Sequence, residues 1–172
     1  ISGAYSSPAI GNDGTIYYTV SWGLSDGGGS VHAIHPDGSY KWQMRTNGSN
    51  SNHWIRVSPT IGSDETVFVA AYTSDIIQWF WSLQAIDPES FTEFDIGRYT
   101  IPKWIYKFND NKESEGSHHV GAYAGVQDSS PAVGNDGTVY FGSGSGKVYG
   151  IGKYVKNGRE DIIKKFVYQT NG

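Results

Sequence analysis

Residues 6–18 read SSPAIGNDGTIYY and residues 129–141 read SSPAVGNDGTVYF, so nearly the same segment occurs twice in a chain of 172 residues. A more diverged third copy, VSPTIGSDETVFV, covers residues 57–69. The equivalent prolines, Pro8, Pro59 and Pro131, are separated by 51 and 72 positions. Periods of this size are typical of repeat architectures, so the sequence predicts three copies of one supersecondary unit.

The part that follows each copy repeats as well, with VHAIHPDGSYKW in the first unit, LQAIDP and PKW in the second, and VYGIG and KKF in the third. Short apolar runs separated by Asp-Gly turns are typical of strands and hairpins. The sequence therefore predicts an all-β chain of four-stranded antiparallel units over residues 6–48, 57–110 and 129–172. In the first unit, the expected strands are Pro8–Gly11, Thr15–Val20, Val31–His35 and Tyr40–Arg45.

One turn departs from this pattern. The first and third units place Gly14 and Gly137 at the last turn position, whereas the second unit places Glu65 there. If the backbone keeps a left-handed conformation at this position, a side chain costs on the order of 1 kcal/mol.

These segments resemble the PQQ-like repeat of quinoprotein-type β-propellers, and the resemblance covers nearly the whole chain apart from inserted loops. It implies a β-propeller with three blades in this chain, and an extracellular or periplasmic location. In that family a tryptophan at the end of the fourth strand packs against the adjoining blade. Trp42 and Trp104 match it, while Phe166 replaces it in the third unit and implies weaker docking there.

Composition excludes several classes of function. The formal net charge is −4, the pI is about 5.7, and the lysines and arginines are scattered, so we expect no nucleic-acid partner. The chain has no cysteine, which excludes disulfides and thiolate chemistry. No stretch approaches the roughly 18 apolar residues of a membrane span.

Strand parity predicts where binding residues lie. The first-to-second and third-to-fourth turns share one face of the predicted disc, and most long loops lie on the other, which is the usual place for binding residues. One insertion, Glu89–Ile101, breaks this rule by lying at a third-to-fourth turn. Aromatic and imidazole side chains dominate binding hot spots. The candidate binding residues on the long-loop face are Trp22, His53, Trp54, His118, His119 and Tyr123.

Two other clusters contain the residue types of a metal site or a catalytic site, but each also has an ordinary structural explanation. His118 and His119, in a loop with Glu113, Glu115 and Asp128, hold metal-binding groups, but such histidines are ordinarily solvated. Ser7, His35 and Asp37 contain the residue types of a hydrolase triad without its nucleophile context. We therefore expect no catalytic residues and no metal site.

Three classes of function remain open. We favour a non-catalytic binding or scaffolding propeller that recognises a protein or a glycan through its long-loop face. A fragment of a PQQ-dependent dehydrogenase is the first alternative. Such enzymes often carry an adjacent cysteine pair, and no calcium ligands can be matched here, so we expect no quinone or other cofactor. A lectin-like carbohydrate-binding propeller is the second alternative.

The number of units predicts an oligomer. Closed propellers have about four to eight blades, and an arc of three leaves two apolar blade faces uncovered. Two copies joined head to tail would close a six-bladed ring around a two-fold axis. The sequence therefore predicts a homodimer.

Overall fold

The computed structural model describes residues 4, 6–22, 28–45, 55, 57–74, 79–94, 97–108, 129–143 and 146–170, and this part of the chain contains strands and turns without any helix. It accordingly has no helix long and apolar enough to cross a bilayer. Strands β1–β4 form unit 1, β5–β8 form unit 2 and β9–β12 form unit 3. The strands are β1 Ala9–Ile10, β2 Ile16–Trp22, β3 Gly28–Ile34, β4 Tyr40–Arg45, β5 Thr60–Ile61, β6 Val67–Ser74, β7 Trp79–Phe94, β8 Gly97–Phe108, β9 Ala132–Val133, β10 Val139–Gly142, β11 Lys147–Lys156 and β12 Arg159–Gln169.

Within each unit, strands that follow one another in the chain pair antiparallel, which confirms the prediction of four-stranded antiparallel units. A single parallel bridge, Gln43 with Tyr99, joins β4 to β8, so units 1 and 2 share one eight-stranded sheet. Unit 3 has a sheet of its own. The sheets are open, and the number of blades in a complete propeller stays a prediction.

The first turn of each unit repeats in detail. In unit 1, the backbone N–H of Gly14 donates to the Gly11 carbonyl at 3.0 Å, and Asp13 Oδ1 accepts from the Thr15 N–H at 2.9 Å. The left-handed position is Gly14 with φ 81° in unit 1 and Gly137 with φ 73° in unit 3. Glu65 adopts the same conformation in unit 2, with φ 62°, so the cost of a side chain at this position applies.

The insertion Glu89–Ile101 is not a loop but the outer half of a long hairpin, because β7 and β8 stay paired out to Phe94 and Gly97. It lies at the third-to-fourth turn of unit 2, where the sequence places it. In unit 3, β11 and β12 extend in the same way as far as the pair Lys156–Arg159, around a turn at Asn157–Gly158. Both turn residues have positive φ, 51° and 76°, the conformation that Asn-Gly favours in two-residue hairpins.

Consecutive units are linked at the first strand by a ladder of serines. The backbone N–H of Ser7 donates to Ser58 Oγ at 2.9 Å, and the N–H of Ser58 donates to Ser130 Oγ at 3.0 Å. The ladder uses the same position of each unit, so the units follow one another in a regular arc. The buried apolar side chains form one cluster that runs through all three units, with Trp42, Val69, Ile86, Phe141 and Ile151 among its members.

Candidate functional site

The structure describes only part of the predicted binding surface. Trp22 is the last residue of β2, where its backbone pairs with Gly28. Its side chain lies outside the described residues, as do His53, Trp54, His118, His119 and Tyr123. Their assignment to a binding site therefore stays a prediction.

One close contact fixes the backbone near two of these positions. A Cβ on Gly29 would lie 2.6 Å from Ile55 Cγ1 and 3.0 Å from the Ile55 nitrogen, so only glycine fits there. Gly29 follows Gly28, the partner of Trp22, and Ile55 follows Trp54 in the chain. The end of β2 and the residue after Trp54 thus lie on the same face, opposite the first turns.

The residues of the hydrolase alternative have structural roles. Ser7 belongs to the serine ladder, while Asp37 Oδ1 accepts from the Ser39 N–H at 2.8 Å within its own turn. The first of these hydrogen bonds uses the Ser7 backbone N–H, and the second gives the Asp37 side chain a role in its turn. Across the described ranges, no three His, Asp or Glu side chains come together in a group that could hold a metal ion.

A second face carries a charged triplet in every unit. We call it the turn face and define it by the first turns, residues 11–14, 62–65 and 134–137, and the adjacent ends of the third and fourth strands. In unit 1, the Lys41 ammonium lies 3.0 Å from Asp13 Oδ2 and 2.9 Å from Thr15 Oγ1. The equivalent triplets are Asp64, Thr66 and Lys103 in unit 2 and Asp136, Thr138 and Lys165 in unit 3.

The triplets hold their carboxylates ionised. Hydrogen bonds from the Thr138 hydroxyl and backbone N–H, and then from Lys165, lower the pKa of Asp136 to about 2. The equivalent bonds from Thr15 and Lys41 hold the pKa of Asp13 well below its usual range. Burial is the largest single influence on Lys41 and by itself lowers the pKa, but the hydrogen bond to Asp13 and the nearby negative charges, including those of Asp13 and Glu89, together outweigh it and the pKa rises. The turn face is therefore a set of fixed opposite charges at neutral pH.

Two aromatic rings form the next layer of each unit. Tyr17 and Trp42 have ring centroids 5.8 Å apart in unit 1, and Phe68 and Trp104 have centroids 5.7 Å apart in unit 2. Tyr140 and Phe166 repeat the arrangement in unit 3 at 5.8 Å. Trp42 and Trp104 each lie against the unit that follows, Trp42 at Pro88 and Trp104 beside Val133.

The junction between units 1 and 2, which we call the 1–2 junction, is closed. Trp42 is fully buried, and its indole Nε1–H donates to the Pro88 carbonyl at 3.0 Å. Glu65 extends back to Asn12, whose backbone N–H and Nδ2–H donate to the two carboxylate oxygens at 3.1 and 2.5 Å. Unit 2 therefore seals both the aromatic ring and the turn of unit 1.

The 2–3 junction holds a groove of about 270 Å³ on the turn face. Trp104 is only partly buried there, and no hydrogen bond to its indole N–H is present within the described part of the chain. The apolar lining is Phe68, Trp104 and Val133, and the polar lining is Ser63, Asp64, Thr66, Lys103, Asn135, Asp136 and Lys153, with Gly62, Gly137 and Gly152 completing it.

The groove exists because of two glycines. Gly137 occupies the turn position that Glu65 has in unit 2, and Gly152 follows Ile151 as Asp87 follows Ile86. Both carboxylate side chains of unit 2 are thus replaced by hydrogen in unit 3. Lys153 stands where Pro88 stands, so the 2–3 junction also gains an ammonium group.

This groove was not predicted from the sequence, because the candidate binding residues all lie in or beside the long loops. A signal was present, since alignment of the three repeats places Gly137 opposite Glu65 and Gly152 opposite Asp87. This signal points to a groove only when it is known that both positions lie at the same junction, and the structure shows that they do.

In comparisons with known proteins, no family model and no curated protein matches the chain.

Proposed function

We propose that this chain is a non-catalytic binding or scaffolding module of the β-propeller type, in which two copies close a ring and present their long-loop face to a protein or a glycan. The observation that carries the proposal is the match between the two uncovered ends of the arc. The residues exposed at each end are equivalent to residues that pack together at the 1–2 and 2–3 junctions.

The trailing face of unit 3 is the first of these ends. Phe166, equivalent to Trp42 and Trp104, is 43% exposed, and Tyr168 on the same strand is 61% exposed. Trp42 at the equivalent position is fully buried because unit 2 covers it. Large exposed aromatic side chains in a contiguous patch are a mark of an interaction surface.

The leading face of unit 1 is the second end. Ile10 is 67% exposed, whereas the equivalent Val133 lines the 2–3 junction beside Trp104. Tyr18 and His32 stack with centroids 5.1 Å apart, in the same way as Phe141 and Tyr149 stack at 5.5 Å in unit 3.

The internal junction shows what covers such a stack. Phe108 of unit 2 packs edge-to-face with Phe141, with ring centroids 5.0 Å apart, and both Phe141 and Tyr149 are buried. The equivalent Tyr18 and His32 are only partly buried. The leading face is therefore an acceptor for the trailing face of another unit, and a second copy supplies one.

The serine ladder supports the same closure. Ser130 Oγ accepts from Ser58, and the next step of the ladder would run from the Ser130 N–H to Ser7 Oγ of a second copy. Two copies related by a two-fold axis then repeat every junction around the ring.

Light scattering tests the closure. We expect a mass near twice 18.8 kDa for the wild type, and a monomer for Phe166→Asp, which buries a charge in the new junction. Val155→Asp, at a more exposed site on the β11–β12 hairpin, is the control for an added charge and should stay dimeric. A folded wild-type monomer at micromolar concentration would contradict the ring.

A glycan array with Trp22→Ala and Trp54→Ala tests the recognition face. If glycans dock there, both substitutions weaken binding by about 1 kcal/mol or more while the melting temperature stays unchanged. If a protein docks there instead, the array is blank and the same variants weaken that partner. Full binding by both folded variants would overturn the assignment of the long-loop face.

A further inference from the structure

The 1–2 junction contains a carboxylate-binding site that is occupied by the protein's own Glu65 side chain. Glu65 reaches across the junction and binds the backbone and side-chain N–H groups of Asn12. It does so from a left-handed backbone with φ 62°, a conformation that costs about 1–2 kcal/mol for a residue with a side chain. The carboxylate contacts help to offset that strain.

The 2–3 junction has the same site without the chain's own carboxylate. Gly137 replaces Glu65, and Ser63 replaces Asn12. The Ser63 N–H has no hydrogen-bond partner among the described residues, and Ser63 lines the groove. The substitution of Asp87 by Gly152 removes a second negative charge, and Lys103 and Lys153 both line the groove.

We propose that the groove of the 2–3 junction binds a small organic monocarboxylate. Its carboxylate takes the place that the Glu65 side chain has in the 1–2 junction, between the Ser63 N–H and the lysines. Its apolar part packs on Trp104 and Val133. The volume of about 270 Å³ lies at the lower end of the range of ligand pockets, which limits the ligand to a molecule about as large as benzoate.

The two carboxylates in the groove do not prevent this. Asp136 is paired with Lys165 at 3.2 Å, and Asp64 lies 4.0 Å from Lys103, so both have a cation beside them. The 1–2 junction shows the same tolerance, because Glu65 Oε2 and Asp13 Oδ1 both lie close to the Cβ position of Gly11, at 3.0 and 3.1 Å. Lys153 also has a partner, Glu160 at 2.9 Å, which leaves its other N–H groups for a ligand.

Benzoate, benzamide and benzylamine form a matched set of probes, since they share a ring and differ in charge. In ¹H–¹⁵N spectra of the full chain, we expect benzoate to shift the amides of Gly62, Ser63, Gly137 and Gly152. Charge-assisted hydrogen bonds are roughly twice as strong as neutral ones, so benzamide should bind about tenfold more weakly. Equal binding of benzoate and benzamide, or tighter binding of benzylamine, would overturn the proposal.

Gly137→Glu is the decisive variant, because it restores the side chain that unit 2 carries at the same position. The φ of 73° at Gly137 is close to the 62° that Glu65 adopts, so the backbone accepts the change. We expect benzoate binding to fall by about tenfold or more, since the new carboxylate occupies the site and repels the ligand. Unchanged affinity in the folded variant would refute the site.

Lys153→Gln provides a second variant on an exposed side chain, whose ion pair with Glu160 is its one polar contact among the described residues. It should weaken benzoate several-fold and leave benzamide unchanged. Identical effects on the two probes would contradict charge recognition. The groove lies within one copy, so a monomer that binds benzoate would overturn the ring alone, and a dimer that does not would overturn the groove alone.

Discussion

The 1–2 and 2–3 junctions are built from equivalent positions and differ in how completely they close. In the first, Trp42 is fully buried and Glu65 joins the two turns. In the second, Trp104 lines a groove beside Gly137 and Gly152. The comparison shows that the aromatic rings and the charged triplets define the junction, while a few side chains from the following unit decide whether it is sealed or open.

The β7–β8 hairpin adds to the same difference. Its backbone pairs Tyr99 with Gln43 of unit 1, and Glu89 lies 3.5 Å from Lys41. The β11–β12 hairpin of unit 3 shares no bridge with β8 in the described part of the chain. The long hairpin of unit 2 therefore contacts unit 1 through a backbone bridge and an ion pair, whereas the hairpin of unit 3 makes no backbone bridge to unit 2 in the described part of the chain.

Replacing the two tryptophans gives the largest contrast. Trp42→Ala removes a fully buried ring and should lower the free energy of unfolding by about 3–5 kcal/mol. Trp104→Ala should cost only about 1–2 kcal/mol, because part of its ring already faces the groove. Urea unfolding of both variants measures the difference. Equal losses would mean that the two junctions are packed alike.

Replacing a glycine by alanine tests how tightly the chain packs at Gly29, beside Ile55, and at Gly152, in the 2–3 junction. Gly29→Ala places a Cβ 2.6 Å from Ile55 and should cost about 1–3 kcal/mol by overpacking. Gly152→Ala meets the end of the flexible Lys165 side chain and should stay within about 0.5 kcal/mol of the wild type. The melting temperatures report both values, and a stable Gly29→Ala protein would disprove the close contact.

A double-mutant cycle isolates the contact that closes the 1–2 junction. Asn12→Ala removes the hydrogen bond from Asn12 Nδ2–H to Glu65 Oε1 and keeps the one from the backbone N–H. It should cost about 1 kcal/mol in the wild type and almost nothing when Glu65→Gly is already present, because the lost hydrogen bond needs both side chains. Glu65→Gly alone should be nearly neutral, since it loses the contact and also relieves the left-handed strain. Additive effects of the two substitutions would show that the contact contributes no coupling.

Acid titration gives the smallest effect. The folded-state pKa of Asp136 is lowered from 3.8 to about 2, so its contribution to stability is complete above 3.8 and is lost as the pH falls toward 2. Asp136→Asn should therefore reduce the pH dependence of the unfolding free energy in that interval and leave it unchanged near neutrality. An identical pH dependence in both proteins would argue against the triplet.

Much of this fold follows from local sequence. The Asn-Asp-Gly turns and the alternating strands follow from neighbouring residues, and the structure agrees with them. The parallel bridge between Gln43 and Tyr99 was not predicted, because it pairs strands of different units and no local pattern encodes it. The groove was missed for the same reason, since Trp104 and Gly152 meet only through the packing of two units.

The central proposal is that the exposed face of unit 3 packs on the exposed face of unit 1 of a second copy. Disulfide crosslinking between these two faces tests it most directly. The natural chain has no cysteine, so thiols introduced by Ile10→Cys and by Phe166→Cys are the only ones present. An equal mixture of the two single variants should form a covalent dimer under mild oxidation, because the proposed ring would place Ile10 of one copy against Phe166 of the other. Each variant oxidised alone should remain uncrosslinked. No covalent dimer in the mixture, or equal crosslinking of either variant with itself, would contradict the head-to-tail ring.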